Sequence, residues 1–91
     1  MNDPIVAYLE QRQPEYLADL TTLAAIDSGS YDKAGVDRVQ DWFERAFATS
    51  GFEIERVPET VRGDNLIVRK RGAGRGRVLL IGHADTVYPP G

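Results

Sequence analysis

The sequence predicts a layered α/β fold in which helices come first and three strands follow. Apolar residues recur at helical spacing through the first half, and apolar and charged residues alternate after Gly51. A later run, Val78-Leu79-Leu80-Ile81, is apolar on both faces, which suits a strand covered from two sides. Without internal repeats, this order describes one layered α/β unit over residues 1–91.

The elements follow from local chemistry. Pro4 behind Asp3 suits a first helical turn, with Asp3 as its cap, and Ile5, Tyr8 and Leu9 share a face. Pro14 lacks an amide hydrogen, so it ends that helix or restarts it. Tyr16, Leu17, Leu20, Leu23 and Ala24 then keep helical spacing, giving two helical pieces before residue 26. Residues 28–35, Ser-Gly-Ser-Tyr-Asp-Lys-Ala-Gly, have loop composition. Val36, Val39, Phe43, Ala46 and Phe47 form the apolar stripe of the clearest helix, and Ser50-Gly51 is its stop. Phe52 and Ile54 alternate with Glu53 and Glu55 in a first strand that runs into Pro58. The second strand is expected over 65–71, a flexible turn over 72–76, and the third strand over 77–82.

Composition narrows the chemistry. The 91 residues contain no Cys and one His, which excludes disulfides, thiolate metal sites, cysteine nucleophiles and any site built from two imidazoles of this chain. The net charge is −3 but is unevenly spread. Residues 1–61 hold 5 Lys/Arg against 12 Asp/Glu, and residues 62–77 hold 6 Lys/Arg against Asp64 alone. That net charge predicts no general attraction to nucleic acid or anionic membranes. The start, Met1-Asn2-Asp3-Pro4, lacks the basic and apolar regions of a signal peptide, and no apolar run approaches the ~20 residues of a membrane span. A cytoplasmic location is the expectation.

Two stretches carry chemistry. His83 follows the apolar run directly, where open α/β sheets place their ligands, beyond the carboxyl ends of strands. In an extended segment His83 and Asp85 project to the same side, so the imidazole suits a metal ligand. Asp85 is then either a second ligand or the partner that fixes the ring. An ordinary hydrogen-bonded histidine at a strand end has the same local signature. Asp27, Ser28 and Ser30 with His83 would make a serine site only against the plainer reading of Ser-Gly-Ser as turn chemistry. The second stretch, residues 69–77, sets five basic residues among glycines and suits an acidic partner or nucleic acid. It has no aromatic residue to stack on a base, and solvated strand ends have the same composition. Trp42 and Phe43 read as helix-packing residues.

The string Gly82-His83-Ala84-Asp85-Thr86-Val87-Tyr88-Pro89 resembles the first metal motif of the zinc metallopeptidase family of glutamate carboxypeptidase, acetylornithine deacetylase, succinyl-diaminopimelate desuccinylase and aminoacylase. Ile26-Asp27-Ser28-Gly29-Ser30, Gly51-Phe52-Glu53-Ile54 and Gly63-Asp64-Asn65-Leu66-Ile67-Val68 stand upstream in that family's order. The resemblance covers nearly the whole chain and is nearest to the glutamate carboxypeptidase-like branch. It implies that His83 binds one zinc of a two-zinc centre, with cobalt or manganese as alternatives. Asp85 would hold the His83 ring without touching metal.

The implied reaction is hydrolysis of a peptide or N-acyl amino-acid amide bond by a bridging water that the two zinc ions acidify, with a glutamate as general base. The further metal ligands and that glutamate are expected beyond Gly91, as is a second domain that would pair two copies into a homodimer. The resemblance therefore implies an N-terminal segment that is inactive by itself. The substrate would be a small peptide or N-acyl amino acid, with neither nucleic acid nor membrane as partner. Two readings stay open beside it: a non-catalytic α/β module that binds an acidic partner through residues 69–77, and a different metal-dependent hydrolase using the same His and Asp.

Overall fold

A computed structural model describes residues 3–91. Met1 and Asn2, the start of the stretch read as lacking a signal sequence, lie outside the described residues. Three helices precede two strands: α1 (Pro4–Gln11), α2 (Gln13–Ala24), α3 (Lys33–Thr49), β1 (Glu53–Val57) and β2 (Asn65–Arg69). The α/β class and the order of helices before strands match the sequence expectation.

Asp3 caps α1 by accepting the Ile5 amide at 2.8 Å. Arg12 separates α1 from α2, and Pro14 sits in the first turn of α2, where its missing donor costs nothing. Both helices leave large apolar side chains exposed, among them Ile5, Leu17 and Leu20. The third helix begins at Lys33, inside the stretch expected to be loop, because Asp32 Oδ1 accepts the Gly35 amide at 2.9 Å and closes the first turn. Its end at Thr49, with Gly51 at φ +82°, is the stop that Ser50-Gly51 predicts.

The core lies between α3 and an antiparallel ribbon. β1 pairs with β2 in a register that sets Ile54 opposite Val68 and Arg56 opposite Leu66. These four residues are half-buried and alternate with exposed ones up to Val57, which is half-buried too, so one face of the ribbon turns to α3. Val36 and Val39 of α3 are buried against it, while Phe43, Phe47 and Phe52 extend the packing through stacked and edge-on rings. Gly63 comes so close to Val36 that a Cβ there would overlap the valine side chain.

The expected third strand over 77–82 is corrected. Among the described residues, 77–82 belong to no strand, and Val78, Leu79, Leu80 and Ile81 are each more than 80% exposed. An apolar run becomes a central strand only when neighbours satisfy its backbone groups on both edges and layers cover both faces. The two-stranded β1–β2 ribbon supplies neither. The second strand also stops at Arg69 rather than continuing to residue 71. Pairing near the motif shrinks to a single parallel bridge between Gly29 and Thr86.

Candidate metal-ligand site

The bridge brings two distant segments together. The Thr86 amide donates to the Ser28 carbonyl at 2.8 Å, and the Ser30 amide donates to the Thr86 carbonyl at 3.1 Å. Ser28 is buried, and a Cβ on Gly29 would crowd the Tyr88 carbonyl at 3.2 Å. Gly35 explains why the 27–30 loop sits against α3, since any Cβ there would collide with the Asp27 carbonyl. Past Pro89 and Pro90 the chain stays beside this loop, where the Gly91 amide donates to the Asp27 carboxylate at 3.3 Å.

On this frame His83 and Asp85 meet, in a segment that belongs to no strand. His83 Nδ1 lies 2.8 Å from the Asp85 carbonyl oxygen and 3.1 Å from Asp85 Oδ1. A carbonyl oxygen only accepts, so in the neutral ring the hydrogen belongs on Nδ1 and the lone pair on Nε2. The His83 side chain is 82% exposed, which leaves that lone pair accessible. Asp85 is itself held: Ser30 Oγ donates to its Oδ2 at 2.6 Å. That bond first, and the His83 ring in addition, keep the Asp85 carboxyl below its ordinary range, against partial desolvation that pushes it up.

These residues open onto one cleft of about 400 Å³, whose other wall carries Arg62, Asp64 and Leu66. Asp64 is the hub of that wall. Its carboxylate accepts from Lys33 Nζ at 2.9 Å, Arg56 Nε at 3.0 Å and the Glu59 amide at 3.0 Å. Its own amide donates to Asp37 Oδ1 at 2.7 Å, and Gln40 donates to its carbonyl at 3.0 Å. Arg56 continues to Asp41 at 3.0 Å. The network clamps the β1–β2 connection to α3 and has no free nucleophile or base in it.

Among the described residues, no three His, Cys, Asp or Glu side chains come together as a metal-binding group. Zinc takes three protein ligands in catalytic sites and four in structural ones. The donor set therefore fits one corner of a zinc site, an imidazole with its orienting carboxylate, and no complete centre. The basic stretch is exposed throughout, with Arg69 paired to Glu55 at 2.8 Å and Lys70 over the Phe52 ring. These contacts fit the reading of solvated strand ends.

Sequence reasoning named His83 and Asp85 but treated Ser30 as turn chemistry, and it gave Asp64 no role beyond its place in the Gly63-Asp64-Asn65 string. Ser30 meets Asp85 across 55 positions, so no local pattern marks it. The upstream order of Ile26-Asp27-Ser28-Gly29-Ser30 was the available signal.

Two curated proteins are similar in sequence to this chain. Carboxypeptidase G2 of Pseudomonas sp. (strain RS-16) is 32% identical over 81 residues, covering 87% of this chain and 20% of that protein. Acetylornithine deacetylase of Vibrio vulnificus (strain CMCP6) is 36% identical over 56 residues, covering 62% of this chain and 14% of that protein. The chain thus spans a fifth or less of the length of these curated relatives. No family model matches it, and no solved structure matches it. Both relatives are hydrolases of the zinc peptidase family that the motifs resemble, matched at low identity over a short stretch.

Proposed function

From kinship with the zinc metallopeptidases, we propose that this chain is the N-terminal segment of a two-zinc hydrolase that cleaves peptide or N-acyl amino-acid amide bonds, as a carboxypeptidase or deacylase. The observation that carries the reading is the His83–Asp85 contact, which puts the ring hydrogen on Nδ1 and leaves Nε2 as a ligand atom. His83 is the zinc ligand, and Asp85 orients its ring. The zinc pair would supply a Lewis acid for the amide carbonyl and a water acidified for attack. The remaining ligands and the general base belong to the rest of a longer protein, in keeping with the small share of the relatives that the chain spans. A homodimer working on small peptides or N-acyl amino acids in the cytoplasm, without nucleic acid or membrane, completes the proposal. None of the described helices is long and apolar enough to cross a membrane.

The test is made in the full-length protein. His83→Ala should abolish hydrolysis of N-acyl amino acids and dipeptides and remove one of two bound zinc ions. Asp85→Asn should weaken zinc affinity by about 10–100-fold, the usual cost of losing a residue that orients a ligand. Retention of both the zinc and the rate in His83→Ala would refute the proposal. The 91-residue chain alone is expected to be inactive and to bind zinc weakly, and tight stoichiometric zinc in it would contradict the division of ligands.

A further inference from the structure

We infer that Ser30 is a positioning residue for His83, acting through the Asp85 carboxylate. The inference rests on the proposed role of His83 as a metal ligand and extends its supporting shell by one residue. Ser30 has a single hydroxyl hydrogen and two acceptors in reach, Asp85 Oδ2 at 2.6 Å and the Thr86 carbonyl at 3.3 Å. The shorter contact goes to the charged acceptor and takes the hydrogen. With Oδ2 held, Oδ1 faces the imidazole Nδ1 at 3.1 Å and adds to the hold of the Asp85 carbonyl, 2.8 Å from the same nitrogen. Asp85 is 41% exposed, so a carboxylate released by Ser30 would be free to turn towards water.

The serine is well placed to hold another group because it is fixed itself. Its amide donates to the Thr86 carbonyl at 3.1 Å, and Arg62 Nη1 donates to its carbonyl at 3.3 Å. Arg62 is in turn stacked on the Tyr31 ring at 4.0 Å. Behind it, the buried Ser28 takes the Thr86 amide, and the bare backbone of Gly35 lets the loop rest on α3. A hydroxyl at residue 30 therefore steadies, through Asp85 Oδ1, one of the two contacts that direct the imidazole at residue 83. The cation it serves is one that prefers imidazole nitrogen, such as zinc.

The test uses the 91-residue chain labelled with ¹⁵N-histidine, where His83 is the single imidazole. Long-range ¹H–¹⁵N spectra report the ratio of the two neutral tautomers, and titration with zinc chloride reports engagement of Nε2. The wild type should favour Nδ1–H. Ser30→Ala and Ser30→Val should shift the ratio towards Nε2–H by about threefold or more, the lower end of what an ordinary hydrogen bond contributes. Ser30→Thr, which keeps the hydroxyl, should restore it, and Ser30→Ala should add nothing on an Asp85→Asn background. A wild-type ratio in both Ala and Val variants would overturn the inference, as would an undiminished effect in Asp85→Asn. Loss of the folded amide spectrum in Thr and Val variants alike would also overturn it, since Ser30 would then be a packing residue. If the ratio follows the hydroxyl but the zinc-loaded full-length protein holds no zinc on His83 Nε2, the positioning stands and the metal-ligand proposal fails. If zinc engages Nε2 equally in every variant at an unchanged ratio, the reverse holds.

Discussion

At the scale of single residues, Asp64 and Asp85 are both carboxylates held ionised by hydrogen bonds, but they serve different ends. Asp85 faces an exposed ring, whereas Asp64 is spent on structure. The Lys33 ammonium first, then the Glu59 amide and the Arg56 guanidinium, bring the Asp64 carboxyl down from 3.8 to about 2. A carboxyl depressed in the folded state adds stability that is complete above its unfolded value of 3.8 and is lost as pH falls through the folded value. The urea midpoint should therefore drop as pH falls from about 4 towards 2. Asp64→Asn should lower the neutral-pH midpoint and make that acid drop shallower. An acid profile identical to the wild type would show that Asp64 does not carry the clamp. Neither Asp64 nor Ser30 was legible as a contact in the sequence, because each earns its place from partners far along the chain: Lys33 lies 31 residues from Asp64, and Asp85 lies 55 from Ser30. His83 and Asp85 were legible because they stand two residues apart in one short motif, although their contact forms in a segment that belongs to no strand.

At the scale of elements, two glycines join α3 to its surroundings. Helix propensity alone would make Gly35→Ala stabilising by about 1 kcal/mol. The Asp27 carbonyl occupies the space a Cβ would need, so the variant should instead lower the melting temperature and loosen the loop that carries Ser30. Gly63→Ala meets the Val36 side chain and should cost about 1–3 kcal/mol in urea unfolding, the range for overpacking a filled core. A stabilised Gly35→Ala or a neutral Gly63→Ala would contradict these close approaches. The stripe from Val36 to Phe47 marked α3 in the sequence, as alternation marked β1 and β2. The start of α3 was misjudged because a first turn containing glycine looks like a loop until the Asp32 cap and the Asp27 contact are seen.

At the scale of the whole molecule, the radius of gyration of 15.5 Å exceeds the roughly 12 Å of a compact domain this long. The excess agrees with the exposed faces of α1 and α2 and with the uncovered run from Val78 to Ile81. That run shows why the third strand was legible as a tendency and wrong as an element. Its residues state what surroundings they suit, while the pairing has to come from another strand. Leu80→Ala in this chain should change stability by less than about 0.5 kcal/mol, against about 2–5 kcal/mol for a buried leucine. A larger loss by urea unfolding would mean that the run is covered. The same incompleteness applies to the site, where one imidazole and one orienting carboxylate stand without further ligands among the described residues. The central claim is that His83 Nε2 binds catalytic zinc, and it is tested most directly by locating the metal in zinc-loaded full-length protein through anomalous X-ray scattering. Zinc bonded to His83 Nε2, with Nδ1 facing Asp85, is the predicted result. Zinc bound fully and productively with His83 outside its coordination sphere would contradict it.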